Sequence, residues 1–185
     1  MTWMTLYNGF SGQSIYDGNI AGGFNLLFTF FPVILLATLD RDLDSEDLIA
    51  HPSLYAASRK GHGFSGRNIA SWAVSGVWHS VVLFFGSIHA LDGVDSQGRE
   101  LNFWQMGVVL FSLVHVTVHL KIALVFSSWN VLSILTFLFS FSTWYWVWPI
   151  YSQIYNTAWT MNVELYRSFQ IVQTDNRFLL LMVLL

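Results

Sequence analysis

The sequence predicts an all-α fold, a polytopic bundle of transmembrane helices. Hydrophobic residues make up 54% of the 185 residues and charged residues only 10%, whereas soluble domains carry about 25% charged residues. Nine tryptophans and seven tyrosines suit the two interfaces of a bilayer. The absence of cysteine excludes disulfides and thiolate metal sites. No basic patch indicates a nucleic-acid partner.

The first predicted span runs over residues 20–39 and contains no charged residue. A helix of this length rises about 30 Å, which matches the hydrocarbon thickness of a bilayer. Asn25, Thr29 and Pro32 follow helical spacings of i, i+4 and i+7, which predicts a polar stripe that faces protein or a wet cavity. Pro32 has no amide hydrogen and clashes with the carbonyl of Phe28, so we expect a kink there with a free backbone acceptor.

The polar segment after the first span opens with Asp40, Arg41 and Asp42. It begins like an EF-hand calcium loop, but Ser45 stands where such a loop needs glycine and His51 where it needs a bidentate glutamate. We therefore expect no metal here. The three residues are interpreted as the solvated, cytosolic end of the first span.

Three further apolar runs are long enough to cross a membrane. They cover residues 68–91, 101–120 and 131–150. A turn region is predicted to follow the third of them, beginning at Lys121. The apolar residues 178–185 are too few to span a bilayer and predict the start of another helix.

Lysine and arginine are more frequent on one side of the predicted bundle. The loop at 40–67 and the turn at Lys121 together carry five of them, whereas the segments 92–100 and 151–177 carry three. The positive-inside rule therefore places the 40–67 loop and Lys121 in the cytosol. The N-terminal residues and the other two segments are expected on the exoplasmic side.

The third predicted span offers a different reading. His115 and His119 lie one helical turn apart, and two such imidazoles are able to ligate a metal or haem. A third ligand at matched depth is not evident, although His79 or His89 belongs to the neighbouring span. A self-contained four-span protein that binds haem or metal thus stands as an alternative, against ordinary interhelical hydrogen bonding by neutral imidazoles.

A series of short motifs occurs in a fixed order along the chain. It consists of Tyr7-Asn8-Gly9-Phe10-Ser11-Gly12-Gln13, Asn25, Phe28-Thr29, Pro32, Asp40-Arg41-Asp42, Pro52-Ser53-Leu54-Tyr55, Trp78-His79-Ser80, and Leu120-Lys121 with Trp129. In order and spacing the series resembles the phospholipid-transporting P-type ATPases, or lipid flippases. The resemblance covers roughly residues 3–150 and is strongest over the first forty.

The resemblance implies that the chain is the C-terminal transmembrane region of a larger protein. It would hold the end of the fifth membrane helix, the sixth to ninth helices and the start of the tenth. In this family a cytosolic aspartate of an Asp-Lys-Thr-Gly motif is phosphorylated by ATP, but neither that motif nor a Walker A loop occurs in this chain. ATP and Mg²⁺ are therefore expected in the parent protein, and no cofactor in this chain.

The resemblance also suggests roles for residues of the first span. Asn25 matches an asparagine of the sixth helix that the family uses near the lipid headgroup path, with Thr29 and Pro32 beside it. A neutral amide can hold a phosphate oxygen or a headgroup amine without a buried charge. The residues alone favour another role for Asn25, a hydrogen bond to a neighbouring helix, and it is the resemblance that favours the headgroup path. Residues 40–42 would adjoin the phosphorylation domain and couple it to the sixth helix.

Further partners follow from the same resemblance. A membrane phospholipid would be the substrate, moved from the exoplasmic to the cytosolic leaflet. An accessory β subunit would contact the exoplasmic segments, above all residues 151–177, and the rest of the parent ATPase would complete the assembly. The plasma membrane and the Golgi or endosomal membranes are the expected locations.

Overall fold

The structure is a computed structural model that describes residues 2–54, 65–94, 98–154 and 165–184. Within these ranges the regular structure is helical. The helices are α1 Thr2–Tyr7, α2 Gly18–Gly23, α3 Phe30–Leu39, α4 Ser45–Ala50, α5 Gly66–Ala90, α6 Phe103–Val125, α7 Val131–Ile154, α8 Ser168–Gln173 and α9 Asn176–Leu184, with a π turn at Phe24–Phe28 and a 3₁₀ turn at Pro52–Leu54.

Four segments of the described residues are long and apolar enough to cross a membrane. They are Gly18–Leu39, Gly66–Ala90, Phe103–Val125 and Val131–Gln153. The predicted all-α transmembrane bundle is therefore confirmed. The apolar residues near the C-terminus also form the helix that was predicted there, α9.

The predicted boundary after the third span was wrong. The start of α6 is fixed by a capping box, in which the side chains of Asn102 and Gln105 each accept the other residue's backbone N–H, at 2.8 and 2.9 Å. The helix ends only at Val125, because the apolar residues 122–125 continue it. Lys121 therefore lies inside α6, and its Nζ donates to Ser75 Oγ on α5 at 3.1 Å.

The core of the bundle lies around α6 and α7. Trp144 of α7 is fully buried, and its indole stacks on Phe111 of α6 with ring centroids 4.6 Å apart. Its Nε1 donates to Ser112 Oγ at 2.8 Å. Helices in lipid associate by close packing and interhelical hydrogen bonds, and this contact provides both.

A short segment before the first span fixes where that span begins. The Ile15 carbonyl rests on α6 at Gly107, where a Cβ atom would lie only 2.1 Å from the carbonyl oxygen. Asp17 then caps α2 by accepting the N–H of Asn19 at 3.0 Å. The same carboxylate accepts the hydroxyl of Tyr151 on α7 at 3.0 Å. The start of the first span is thus attached to both central helices.

Parts of three predicted loops lie outside the described residues. The loop at 40–67 is described up to residue 54 and again from residue 65. Residues 95–97 and 155–164, within the two predicted exoplasmic segments, also lie outside the described ranges.

Candidate functional site

The first span is interrupted near its middle. α2 passes into the π turn Phe24–Phe28, and Thr29 then has φ −123°, outside the helical region. α3 begins at Phe30, so Pro32 lies in its first turn, and the one helical acceptor that its missing N–H would serve is the Phe28 carbonyl on the far side of the break. The predicted kink is confirmed, and the backbone accommodates the proline by breaking at Thr29.

The break leaves the carbonyl of Phe28 without a helical donor, because the residue four positions on is Pro32. Ser140 of α7 donates its hydroxyl to this oxygen. On its other side, Ser140 Oγ lies 3.1 Å from His119 Nε2 on α6. The predicted free acceptor therefore exists, and two other spans supply the groups around it.

The structure does not place Asn25, Thr29 and Pro32 on one face. Thr29 and Pro32 are buried, whereas Asn25 is exposed, and the side chain of Asn25 makes no hydrogen bond within the described ranges. A π turn takes one residue more per hydrogen bond than an α-helix, so the turn at Phe24–Phe28 rotates Asn25 away from Thr29. The single polar stripe was therefore a wrong prediction, since it assumed α-helical spacing throughout.

The cytosolic end predicted for the first span is attached to the turn between α6 and α7. Asp40 Oδ1 accepts the backbone N–H of Ser128 at 2.8 Å and that of Ser127 at 3.1 Å. Ser128 Oγ donates to Asp40 Oδ1 at 3.1 Å and accepts the backbone N–H of Arg41 at 3.0 Å. Ser127 Oγ donates to Asp42 Oδ1 at 3.0 Å. We call these five residues the clasp.

The clasp favours the ionised form of Asp40. The backbone N–H of Ser128 lowers the pKa of the Asp40 carboxyl below its ordinary value, and the N–H of Ser127 and the hydroxyl of Ser128 act in the same direction. Burial opposes them, but the hydrogen bonds prevail at this solvated position. The aspartates were identified from the sequence, whereas Ser127 and Ser128 were missed because they lie far along the chain.

The two histidines of α6 take part in hydrogen bonds both within their own helix and to α7. Both are fully buried, with ring centroids 4.2 Å apart. His115 Nε2 lies 3.1 Å from the carbonyl of Phe141 on α7, and His119 Nδ1 lies 2.9 Å from the carbonyl of His115. The described part of the chain contains no group of three or more histidine, cysteine, aspartate or glutamate residues placed to hold a metal. Among the described residues, His115 and His119 therefore have no third ligand that would support the haem or metal alternative.

Comparison with known proteins places the chain in a family. A family model described as the C-terminal region of phospholipid-translocating P-type ATPases matches residues 1–185. A phospholipid-transporting ATPase of Schizosaccharomyces pombe is 30% identical over 152 residues, which is 81% of this chain and 12% of the relative. The phospholipid-transporting ATPase DRS2 of Saccharomyces cerevisiae is 30% identical over 159 residues, covering 84% of this chain and 12% of the relative.

A plant relative gives the same picture. A probable phospholipid-transporting ATPase of Arabidopsis thaliana is 32% identical over 142 residues, 75% of this chain and 11% of the relative. The chain thus spans about an eighth of the length of the curated relatives it matches, at 11 to 12%. The family that the ordered motifs predicted is confirmed: the chain belongs to the phospholipid-translocating P-type ATPases and corresponds to their C-terminal membrane region.

Proposed function

We propose that this chain forms part of the lipid translocation path of an ATP-driven phospholipid flippase, which moves lipid from the exoplasmic to the cytosolic leaflet. The observation that carries the proposal is the interrupted first span, which turns the Asn25 amide outward. ATP hydrolysis and Mg²⁺ binding belong to the cytosolic domains of the parent protein in this proposal.

Asn25 is the polar group that meets the headgroup. Its immediate neighbours Leu26 and Leu27 are 64% and 47% exposed, so the amide stands on an otherwise apolar surface. An amide both donates and accepts, which allows it to bind a phosphate oxygen or a headgroup amine in turn. Because it carries no charge, binding is weak enough to permit release at the end of transport.

Thr29 and Pro32 act on the path through its shape. Both are buried and do not reach the surface that Asn25 occupies. Pro32 forces the break, and Thr29 Oγ1 lies 3.5 Å from the carbonyls of Phe24 and Asn25. The two residues thereby maintain the local backbone that presents Asn25.

The clasp serves to couple the first span to the rest of the bundle. It joins the end of α3 to the turn between α6 and α7 through side-chain and backbone groups of Asp40, Arg41 and Asp42. A movement imposed on this end by the phosphorylation domain is then passed to two further spans.

The remaining assignments concern the surroundings of the chain. The exoplasmic segment at 151–177, of which residues 155–164 lie outside the described ranges, is the proposed contact of an accessory β subunit. The proposed location is the plasma membrane or the Golgi and endosomal membranes.

Transport of a labelled phospholipid tests the function. The full-length protein that carries this chain is reconstituted in vesicles, and ATP-dependent translocation is compared for wild type, N25A and the control L27A, which alters an exposed apolar neighbour. Loss of a hydrogen bond to a charged headgroup raises the lipid KM about tenfold in N25A, while L27A and phosphoenzyme formation change little. Unaltered transport by N25A would contradict the assignment, and absence of ATP-dependent transport by the wild type would contradict the function.

A further inference from the structure

The Phe28 carbonyl is an acceptor that the first span cannot satisfy by itself. Its α-helical donor would be the N–H of residue 32, which proline lacks. The next N–H along the chain, that of Val33, already donates to the carbonyl of Thr29 at 3.3 Å. Within a bilayer an unpaired carbonyl is costly because no water replaces the missing donor. The broken span therefore depends on a donor from another element.

Ser140 is that donor in the structure. Its hydroxyl comes from α7 and points at the Phe28 oxygen. Ser140 and Phe28 are both 0% exposed, so the contact is sealed from solvent and lipid. The same face of α7 presents Trp144, whose ring lies against Phe28 with centroids 5.5 Å apart. The broken segment is thus packed and hydrogen-bonded against α7.

His119 holds the other side of the serine. Its Nδ1 lies 2.9 Å from the carbonyl of His115, and its Nε2 lies 3.1 Å from Ser140 Oγ. The Ser140 hydroxyl has one proton, which it gives to the Phe28 carbonyl, so towards His119 the serine oxygen can only accept. Removing the hydroxyl therefore takes from the Phe28 carbonyl the donor that Ser140 supplies, and from His119 Nε2 its partner on α7.

We propose that Ser140 is a positioning residue of the first span, which keeps the proline break in place by supplying the donor that the Phe28 carbonyl lacks. His119 orients the serine from α6. The positioning role stands on the geometry of the break alone. Only its consequence for transport rests on the proposed function, because the break presents Asn25.

A double-mutant cycle with Pro32 isolates this role. P32A restores the N–H that can bond the Phe28 carbonyl within the helix, so that Ser140 is no longer required. We measure the thermal half-point of the detergent-solubilised full-length protein for wild type, S140A, P32A and the double variant. S140A lowers the half-point by about 3 to 6 °C in the wild-type background, the loss expected for unpaired buried polar groups. In the P32A background the loss falls to less than half.

Ser133 provides a matched control. It lies on the same helix and is also buried, at 1% exposure, but its hydroxyl makes no hydrogen bond within the described ranges. S133A should therefore leave the half-point unchanged. S140T retains a hydroxyl and should recover most of the wild-type half-point. S140C carries a weaker donor of similar size, so its half-point should lie between those of S140T and S140A. It replaces S140A in the comparison if S140A yields too little folded protein. Equal losses for S140A in both backgrounds, or an equal loss for S133A, would overturn the proposal.

The transport assay adds a second measurement, the maximal rate of lipid translocation, which a purely structural role of Ser140 would leave unchanged. In S140A the maximal rate of lipid translocation falls several-fold and S140T recovers it, whereas S133A transports as wild type does. A normal maximal rate in folded S140A would overturn the link between the break and transport. If the wild type transports no lipid, the proposed function fails, while the stability cycle still decides the role of Ser140.

Discussion

Two of the contacts between the first span and the α6–α7 pair differ in chemistry. The inner contact joins Phe28, Ser140 and His119, all neutral and fully buried. The clasp at the end of the span has more hydrogen bonds, but it is built around the partly exposed carboxylate of Asp40. Water can replace the partners of the clasp, and nothing can replace those of the buried contact. The environment of a hydrogen bond, more than the number of bonds, decides which contact the fold depends on.

A reversible lock at the clasp tests whether the two contacts work independently. D42C with S127C introduces two thiols at positions whose side-chain oxygens lie 3.0 Å apart, into a region that has no cysteine of its own. Oxidation should nearly abolish lipid transport, because the end of the first span can no longer move against α6 and α7. Reductant should restore it. Transport that continues under full cross-linking would show that the clasp does not open during transport. The control pair is D44C with S127C, which introduces two thiols without replacing Asp42.

Removal of the buried donor has the next largest effect. S140A leaves the Phe28 carbonyl without the Ser140 donor and His119 Nε2 without its partner on α7, which lowers the free energy of unfolding by about 2 kcal/mol. The measurement is chemical denaturation of the membrane region followed by tryptophan fluorescence. A loss smaller than that of S128A would reverse the ranking of the two contacts.

Removal of a donor at the clasp costs less. S128A deletes a half-buried hydroxyl, but the backbone N–H of residue 128 still donates to Asp40. We expect a loss of about 0.5 to 1 kcal/mol in the same denaturation experiment. T38A is the matched control, because the exposed Thr38 hydroxyl donates to the carbonyl of Ile34 in its own helix at 2.8 Å and has no other partner among the described residues.

The smallest expected effect is a loss of the stability that Asp40 gives the clasp as the solution becomes acidic. The folded pKa of Asp40 lies below its unfolded value, so its contribution to stability is complete above the unfolded value of about 4 and is lost as the pH falls through the folded value. Hydrogen exchange of the Ser127 and Ser128 amides, corrected for intrinsic rates, should show protection decreasing in that acid window. D40N should remove the dependence. Protection that stays constant in the wild type would mean that Asp40 does not hold the turn.

The spans were predictable because length and apolar composition determine them directly. The position of Pro32 also led to the correct prediction that the Phe28 carbonyl has no donor within its own helix. The face of Asn25 was not predictable, since a π turn leaves no mark in a pattern read at α-helical spacing. The end of α6 was misplaced because Lys121 was taken as the end of the span, although its ammonium donates to Ser75 on the preceding helix, α5.

The serines of both contacts were missed for a common reason. Ser128 and Ser140 lie 88 and 112 positions from their partners in the first span, and single serines are frequent in membrane helices. One signal was present in the sequence: an acceptor orphaned by proline requires a donor at similar depth in a neighbouring span. Ser140 meets that requirement, but only the packing of α7 against the break selects it from other serines.

The most direct test of the account is the reactivity of two single cysteines in the first span of the full-length protein. N25C should react rapidly with a polar maleimide because Asn25 is exposed, and transported phospholipid should protect it if Asn25 lines the lipid path, as proposed. T29C should react slowly with or without lipid, because Thr29 is buried. Equal reactivity at the two positions, or rapid labelling of N25C that no phospholipid prevents, would contradict the proposal that the break presents Asn25 to the lipid.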